Sequence, residues 1–144
     1  MKILNTQEAV LTNVEVYTFL TDQEKKYHDQ KRKGPANLET IRKEVLQYFE
    51  SSPAPLSQKP LPYDTTAIPE VIKRLSPYEI SKGECIMILN IRPTNVPVLN
   101  AVIENMEDRF NAEQQQEILE IVTEILGQFP EEPEEDAVMQ TTED

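Results

Sequence analysis

Apolar side chains recur at intervals of three and four residues in six segments of this chain, the spacing that places them on one face of an α-helix. Three of these segments begin at a capping pair, in which two residues three positions apart each satisfy a backbone N–H of the other: Thr12 and Glu15, Ser81 and Glu84, Asn111 and Gln114. The pattern predicts an all-α fold with helices over residues 13–26, 38–50, 68–75, 82–90, 96–110 and 112–127.

The first predicted helix carries apolar residues over roughly 220° of its circumference, more than a helix covered on one side needs. This wide arc consists of Val14, Val16, Tyr17, Phe19 and Leu20. We therefore expect the first helix to lie between its own chain and a second surface. The second helix has a stripe of ordinary width, roughly 160°, which includes Ile41, Val45 and Phe49.

Two segments interrupt the helical pattern and one follows it. Residues 25–33 are rich in lysine and arginine and precede Gly34-Pro35, so residues 25–37 are predicted to form a mobile basic loop. Residues 51–62 contain four prolines, typical of an extended linker. Residues 129–144 carry seven acidic and no basic residues and are predicted to be disordered. The predicted organisation is a region 1–50, a linker 51–62, a helical bundle 63–128 and an acidic tail 129–144.

The size and charge of the chain exclude several classes of protein. The chain has 144 residues, the size of one ordinary domain, and a formal net charge of −12. That charge opposes contact with the phosphates of nucleic acids and with anionic membranes. The single cysteine, Cys85, cannot form an intramolecular disulfide, and no apolar run approaches the roughly 18 residues that span a membrane. We expect a protein of a reducing compartment that does not enter a membrane.

No combination of residues predicts catalysis, a cofactor or a metal. His28 is the only histidine and lies within the basic segment, and Cys85 lies in the apolar run CIMIL with no other His or Cys at metal-ligand spacing. The three glycines are too scattered for a phosphate-binding loop. Glu104, Glu107 and Asp108 lie opposite the apolar stripe of their predicted helix and are interpreted as solvated surface. An enzyme is therefore not expected.

The basic segment leaves an alternative function open. Residues 24–43 carry seven basic and three acidic residues, so a helical nucleic-acid binder is one hypothesis. Tyr27 is the one aromatic residue between these cations, and a single ring does not make a stacking platform for bases. Direct contact with nucleic acid is therefore expected to be weak or absent.

Two stretches of the sequence carry a family resemblance. The segments VLTNVEVYTFLTDQEKK (10–26) and ISKGECIMILNIRPTNVPVLNAVIENMEDRFNAEQQQEILEIV (80–122) resemble the small stalk subunit of eukaryotic RNA polymerase III, known in animals as the calcitonin gene-related peptide receptor component. They are similar more distantly to the stalk subunits of RNA polymerase II and of the archaeal enzyme. The most specific part is an E-x4-LN-x-RP run with a downstream Glu and an Arg-Phe pair, here Glu84, Leu89, Asn90, Arg92, Pro93, Glu104, Arg109 and Phe110.

The resemblance implies a non-catalytic nuclear subunit in two parts. Residues 1–50 would bind a larger stalk subunit that carries an OB fold, with residues 1–4 as a possible added strand, and residues 63–128 would form a bundle like the C-terminal domain of helicases and RNase D, the HRDC-like fold. The implied partners are that subunit, the RNA polymerase III core and its initiation factors, and the implied role is initiation at genes for transfer RNA, 5S ribosomal RNA and other small RNAs.

Combined with the wide apolar arc, the resemblance predicts a partner-binding surface made of Val14, Val16, Tyr17, Phe19, Leu20, Ile41, Val45 and Phe49. Two alternatives to the implied function remain open. One is the equivalent stalk subunit of another RNA polymerase. The other is an interaction adaptor in peptide-receptor signalling, which is suggested by the second name of the animal relatives.

Overall fold

A computed structural model describes residues 2–128 and consists of helices joined by short connections. Its seven α-helices are α1 (Asn13–Asp29), α2 (Ala36–Glu50), α3 (Ala67–Leu75), α4 (Lys82–Ile91), α5 (Val96–Val102), α6 (Met106–Arg109) and α7 (Ala112–Leu126). Two short 3₁₀ helices, Pro55–Ser57 and Ser76–Tyr78, lie between them. Residues 2–128 contain no strand, and the predicted all-α fold is confirmed. The predicted disorder of the acidic tail concerns residues outside those described.

The first helix begins where its capping pair predicts and ends later than expected. The Thr12 hydroxyl accepts from the Glu15 N–H at 3.4 Å, and the Glu15 carboxylate accepts from the Thr12 N–H at 2.7 Å. At its other end α1 continues to Asp29, so the first five residues of the basic segment are helical and the prediction of a loop is wrong for them. Basic residues in the last turn of a helix are favoured by its dipole, which offsets their mutual repulsion.

The predicted helix over residues 96–110 is in fact two helices. Ile103 has an extended backbone and Asn105 a left-handed one, with φ of 51°, and together they separate α5 from α6. The reason lies outside the segment, because the Glu104 N–H donates to the Glu84 carboxylate at 3.1 Å instead of to its own helix. The Glu104 carbonyl accepts from the Arg109 guanidinium at 3.0 Å. Side chains thus satisfy the backbone groups that the break exposes.

One hydrophobic core joins the helical hairpin to the bundle. Its centre is formed by α3, α5 and α7, where Val71, Leu99, Ile118 and Val122 are fully buried. Val14 of α1 and Phe49 of α2 belong to the same cluster, as does Leu56 of the proline-rich segment. The prediction that residues 51–62 form a poorly packed linker is therefore wrong at Leu56. Proline content restricts the backbone but does not prevent an apolar side chain from packing.

No helix among residues 2–128 is both long enough and apolar enough to cross a membrane.

The left-handed residue between α5 and α6 allows a test of the break. Replacing Asn105 by Ile is expected to lower the free energy of unfolding by about 1–2 kcal/mol, because a β-branched side chain is strained at positive φ. Asn105→Gly is expected to be neutral or slightly stabilising, since glycine adopts this conformation freely. Urea unfolding followed by circular dichroism gives both values.

Asn100→Ile is the matched control, because Asn100 is exposed in the helical conformation within α5. It should change the stability by only a few tenths of a kcal/mol. A similar loss at positions 100 and 105 would contradict a left-handed break at Asn105.

Candidate partner-binding surface

The relative orientation of α1 and α2 is fixed by ring contacts at one end of the hairpin. The Tyr17 ring meets the Phe49 ring edge to face, with 6.4 Å between centroids. The Tyr17 hydroxyl donates to the Glu50 carboxylate at 2.8 Å and accepts from the Lys59 ammonium at 2.9 Å. These contacts join α1, α2 and the proline-rich segment at a single point.

A buried arginine fixes the other end of the hairpin. Arg42 is only 5% exposed. Its guanidinium pairs with Glu39, lies 3.8 Å from a carboxylate oxygen of Glu24 in α1, and lies 5.8 Å from the centre of the Tyr27 ring. A planar guanidinium held on several sides tolerates little rotation of its helix. The face of α2 that points away from α1 is therefore set by the hairpin itself.

An apolar stripe on α2 lies beside the residues that contact α1 and the core. Leu38, Ile41, Val45 and Tyr48 recur at intervals of three and four residues and share a stripe about 80° wide. Ile41 is 59% exposed and Tyr48 71% exposed, whereas Val45 is half-buried against the core. An exposed apolar stripe of this kind on a helix is typical of a surface that another protein covers. We call these four residues the α2 stripe.

A second group of exposed apolar residues precedes α1. Residues 2–11 form neither helix nor strand. Within them Leu4 is 90% exposed, and Ile3, Val10 and Leu11 are also exposed. A segment outside helices and strands that carries exposed apolar side chains can add to the edge of a sheet when it becomes extended.

The structure divides the predicted partner-binding residues into three groups. Val14 and Phe49 are buried in the chain's own core, so in this conformation their side chains face inward and not toward a partner. Val16, Tyr17, Leu20 and Val45 are half-buried. Phe19 and Ile41 are exposed. Further exposed apolar residues were not included in the prediction: Ile3, Leu4, Val10, Leu11, Leu38 and Tyr48. Helical spacing placed Leu38 and Tyr48 beside Ile41, and that signal was sufficient to include them.

Three of the family-motif residues meet at the start of α4. The Arg109 guanidinium donates to both oxygens of the Glu84 carboxylate, at 2.6 and 3.3 Å, and also to the Glu79 carbonyl at 3.2 Å. Glu104 takes part through its backbone, with its N–H on Glu84 and its carbonyl on Arg109. The sequence motif thus corresponds to a hydrogen-bonded cluster that closes the α5–α6 break.

These donors hold the Glu84 carboxylate in its charged form. Hydrogen bonding from Arg109 is the largest cause, assisted by the N–H groups of Ser81 and Glu104, and it lowers the pKa of Glu84 to about 2 against an ordinary value of 4.5. The Ser81 N–H donates at 2.8 Å as part of the α4 capping box. At neutral pH all acceptor sites of this carboxylate are therefore available.

The remaining motif residues connect α4 to its surroundings. The Asn90 side-chain oxygen accepts from the Asn13 N–H at 2.8 Å, which fixes the first residue of α1 against the last turn of α4. Arg92 is buried, donates to the Gly127 carbonyl at 3.1 Å and to the Gln58 side chain at 2.7 Å, and lies over the Tyr63 ring. Leu89, Pro93 and Phe110 are buried. The motif residues therefore form the scaffold and not the exposed surface.

The histidine and the cysteine considered for chemistry lie on different helices, α1 and α4. His28 is exposed, with a ring nitrogen 3.9 Å from the Asp29 carboxylate. Cys85 is half-buried in α4, and burial raises the pKa of its thiol, which disfavours the nucleophilic thiolate. Within residues 2–128 there is no group of three or more His, Cys, Asp or Glu side chains placed to hold a metal ion.

Comparison with known proteins identifies the family to which this scaffold belongs. The sequence matches the family described as RNA polymerase Rpb4 over residues 10–126. The chain belongs to the RNA polymerase Rpb4 family. Its match spans the hairpin, the proline-rich segment and the bundle, including every motif residue named above.

Three relatives of this Rpb4-family chain are similar over most of their length. The "DNA-directed RNA polymerase III subunit rpc9" of Schizosaccharomyces pombe is 34% identical over 139 residues, which cover 90% of this chain and all of the relative. The corresponding RPC9 of Saccharomyces cerevisiae is 28% identical over 85% of this chain and 98% of its own. The rpc9 of Dictyostelium discoideum is 29% identical over 89% and 92%. The predicted resemblance is confirmed.

The ion pair between Glu84 and Arg109 makes stability depend on pH. A carboxyl whose pKa falls from 4.5 to about 2 on folding stabilises the fold fully above pH 4.5, and this contribution is lost as pH falls toward 2. Arg109→Met is expected to lower the free energy of unfolding by about 1–2 kcal/mol at pH 7, allowing for partial solvent exposure. The loss should be smaller at pH 3. Urea titrations at both pH values measure it.

Arg74→Met is the matched control, because the Arg74–Glu124 bridge has a similar length of 2.6 Å but is more exposed. It should cost well under 1 kcal/mol. An Arg109→Met loss that is equal at pH 7 and pH 3 would show that the carboxylate charge is not the source of stability.

The Asn90–Asn13 hydrogen bond is expected to fix the start of α1. Asn90→Leu removes the acceptor and should lower the free energy of unfolding by about 1–2 kcal/mol, because a half-buried N–H then lacks a partner. Hydrogen exchange of the first-turn amides of α1 should become faster. Asn90→Asp keeps an acceptor and should retain slow exchange, and equally fast exchange in both variants would contradict this role.

Proposed function

We propose that this chain is a non-catalytic stalk subunit of DNA-directed RNA polymerase III. The observation that carries the proposal is the similarity, over nearly the whole of both chains, to the relative named as a subunit of that enzyme. The two further relatives carry the same subunit name and come from distant organisms. Outward apolar residues on a hairpin that has its own core also suit a subunit that works in a complex.

The partner we propose is a stalk subunit with an OB fold, in a heterodimer. Two features of residues 2–50 support this partner. The α2 stripe offers side chains for a helix-to-surface contact, and residues 2–11, which lie outside any helix or strand, offer backbone groups to the edge of a sheet such as that of an OB fold. Both features lie in the N-terminal part of the chain, before the proline-rich segment.

The role we propose for the bundle is protein docking. Residues 63–128 carry five basic and eleven acidic residues, which disfavours binding to phosphates. We infer an HRDC-like bundle that contacts initiation factors of RNA polymerase III in the nucleus. Through them the subunit supports initiation at genes for transfer RNA, 5S ribosomal RNA and other small RNAs, with weak or no direct nucleic-acid contact of its own.

Affinity purification of the tagged full-length chain from nuclear extract tests the assignment. Recovery of the RNA polymerase III core together with an OB-fold subunit is the expected result, identified by mass spectrometry. Recovery of RNA polymerase II subunits would transfer the proposal to that enzyme. Recovery of neither polymerase, with the chain depleted from nuclei, would overturn the proposal in favour of a signalling adaptor.

Charge in the α2 stripe is expected to abolish heterodimer formation. The double variant Ile41→Asp, Tyr48→Asp places two carboxylates where we expect apolar contact, and each unpaired buried charge costs several kcal/mol. Co-expression with the OB-fold subunit, followed by affinity purification and size-exclusion chromatography, measures the loss of the complex.

Gln47→Asp is the matched control, because Gln47 is exposed on α2 about 100° or more from the stripe. This variant should form the heterodimer normally. Circular dichroism separates lost binding from lost folding. A folded double variant that still co-purifies with the partner would show that the α2 stripe is not the interface, whereas failure of wild type to recover a polymerase would refute the assignment itself.

A further inference from the structure

A groove on α1 lies apart from the α2 stripe. It has a volume of about 370 Å³ and is lined by successive turns of the second half of α1 and by Arg32 just beyond it. Two aromatic side chains line it, Phe19 and Tyr27, and Phe19 is 62% exposed. Lys26 and Arg32 line it from the basic segment, with Asp22 as the acidic member. We call the two aromatic rings the floor of the groove and the other lining residues, which include Gln23 and Gln30, its rim; the rim carries two cations and one carboxylate.

The cations around this groove are not neutralised by the rest of the described chain. Residues 25–33 carry five basic residues and one acidic residue. All five basic side chains belong to exposed residues, and within residues 2–128 none of them lies within 4.0 Å of a carboxylate. Clustered like charges raise one another's energy unless an anion lies among them. The rim is therefore suited to an anionic partner.

We propose that the occupant of this groove is the chain's own acidic tail, residues 129–144. The tail carries seven acidic residues and no basic ones, five of the acidic residues lying within 131–136. Directly after them come Ala137, Val138 and Met139. The carboxylates pair with the cationic rim, and an apolar side chain of this run fills the floor between Phe19 and Tyr27.

The starting point of the tail brings it within reach of the groove. Gln128, the last described residue, accepts through its carbonyl from the Gln58 side chain at 3.5 Å. The next residue, Lys59, donates to the Tyr17 hydroxyl of α1 at 2.9 Å. Lys26 lies nine residues along α1 from Tyr17, about 14 Å at 1.5 Å per residue. The eleven residues from 129 to Met139 span roughly 36 Å when extended, more than twice the 14 Å between Tyr17 and Lys26 along α1.

Because the tail belongs to the same chain as the groove, weak ion pairs are sufficient to hold it there. Exposed ion pairs contribute little individually and are screened by salt. Covalent attachment to the same chain raises the effective concentration of the tail at the groove to roughly the millimolar range. Several such pairs together with one apolar contact then keep the groove occupied in the free chain at low salt and release it to a stronger partner.

A spin label on the tail of the full-length chain tests the proposal. The label is attached to Thr141→Cys in a Cys85→Ser background, and nuclear magnetic resonance measures the broadening that it causes at each backbone amide. We expect strong broadening at the amides of the groove, residues 22–32, at 50 mM salt. Most of it should be lost at 500 mM salt, where the Debye length falls to about 4 Å.

Changing the charges of the groove or of the tail tests whether these two regions are in contact. Lys26→Glu with Arg32→Glu should abolish the broadening, whereas Lys73→Glu with Lys82→Glu makes the same change of charge at exposed positions of α3 and α4 and should leave it. Changing the five acidic residues of 131–136 to Gln leaves the folded part intact and should also abolish it. No broadening at the groove in wild type, or broadening that survives the changes at Lys26 and Arg32, would overturn the proposal.

A competing polyanion gives a different pattern. If the tail label causes no broadening at the groove but a single-stranded oligouridylate shifts the amides of residues 22–32, the groove binds RNA and the proposal is wrong. If the tail occupies the groove, the oligouridylate should bind more tightly to the chain with Gln at the acidic positions of 131–136 than to wild type.

Discussion

The shape of the bundle depends on a single carboxylate, that of Glu84. It accepts hydrogen bonds from the Ser81 N–H at the start of α4, from the Glu104 N–H in the break between α5 and α6, and from the Arg109 guanidinium beyond it. A helix that stops in the middle of a segment leaves backbone groups without partners, and leaving them unsatisfied is costly when they are shielded from water. Glu84 and Arg109 supply those partners, and the lowered pKa keeps the carboxylate charged to do so.

The position of the α1–α2 hairpin is set by its contacts with α4 and with the shared core. Asn90 holds the first residue of α1, and the shared core takes Val14, Phe49 and Leu56 inward. Once these side chains are buried, Ile41 and Tyr48 on α2 stay mostly exposed among residues 2–128. The exposed stripe is thus a consequence of how the hairpin docks, and that is why we read it as the surface for a second subunit.

Local signals in the sequence predicted the helices, but contacts between distant residues decided the rest. Caps and periodicity located the helix starts, since both act within four residues. The α5–α6 break depends on Glu84, twenty residues earlier, and no pattern within 96–110 reports it. The burial of Val14 and Phe49 was missed because a wide apolar arc shows that two sides are covered, not which side the chain itself covers. Only the exposure of each side chain in the folded chain shows which side of α1 is covered by its own core.

The motif and the proposed surfaces carry different information. Residues such as Asn90 and Arg92 hold the scaffold together, so the resemblance that they support is evidence for the fold. The binding properties of the outward residues depend instead on their own exposure and charge. Electrostatic attraction likewise depends on the charges near a binding site. At physiological salt, charges separated by more than about 8 Å are largely screened, so the local cations of residues 25–33 decide what binds there and not the net charge of −12. An acidic segment tethered to the same chain then sets the affinity that any other polyanion must exceed to occupy that site.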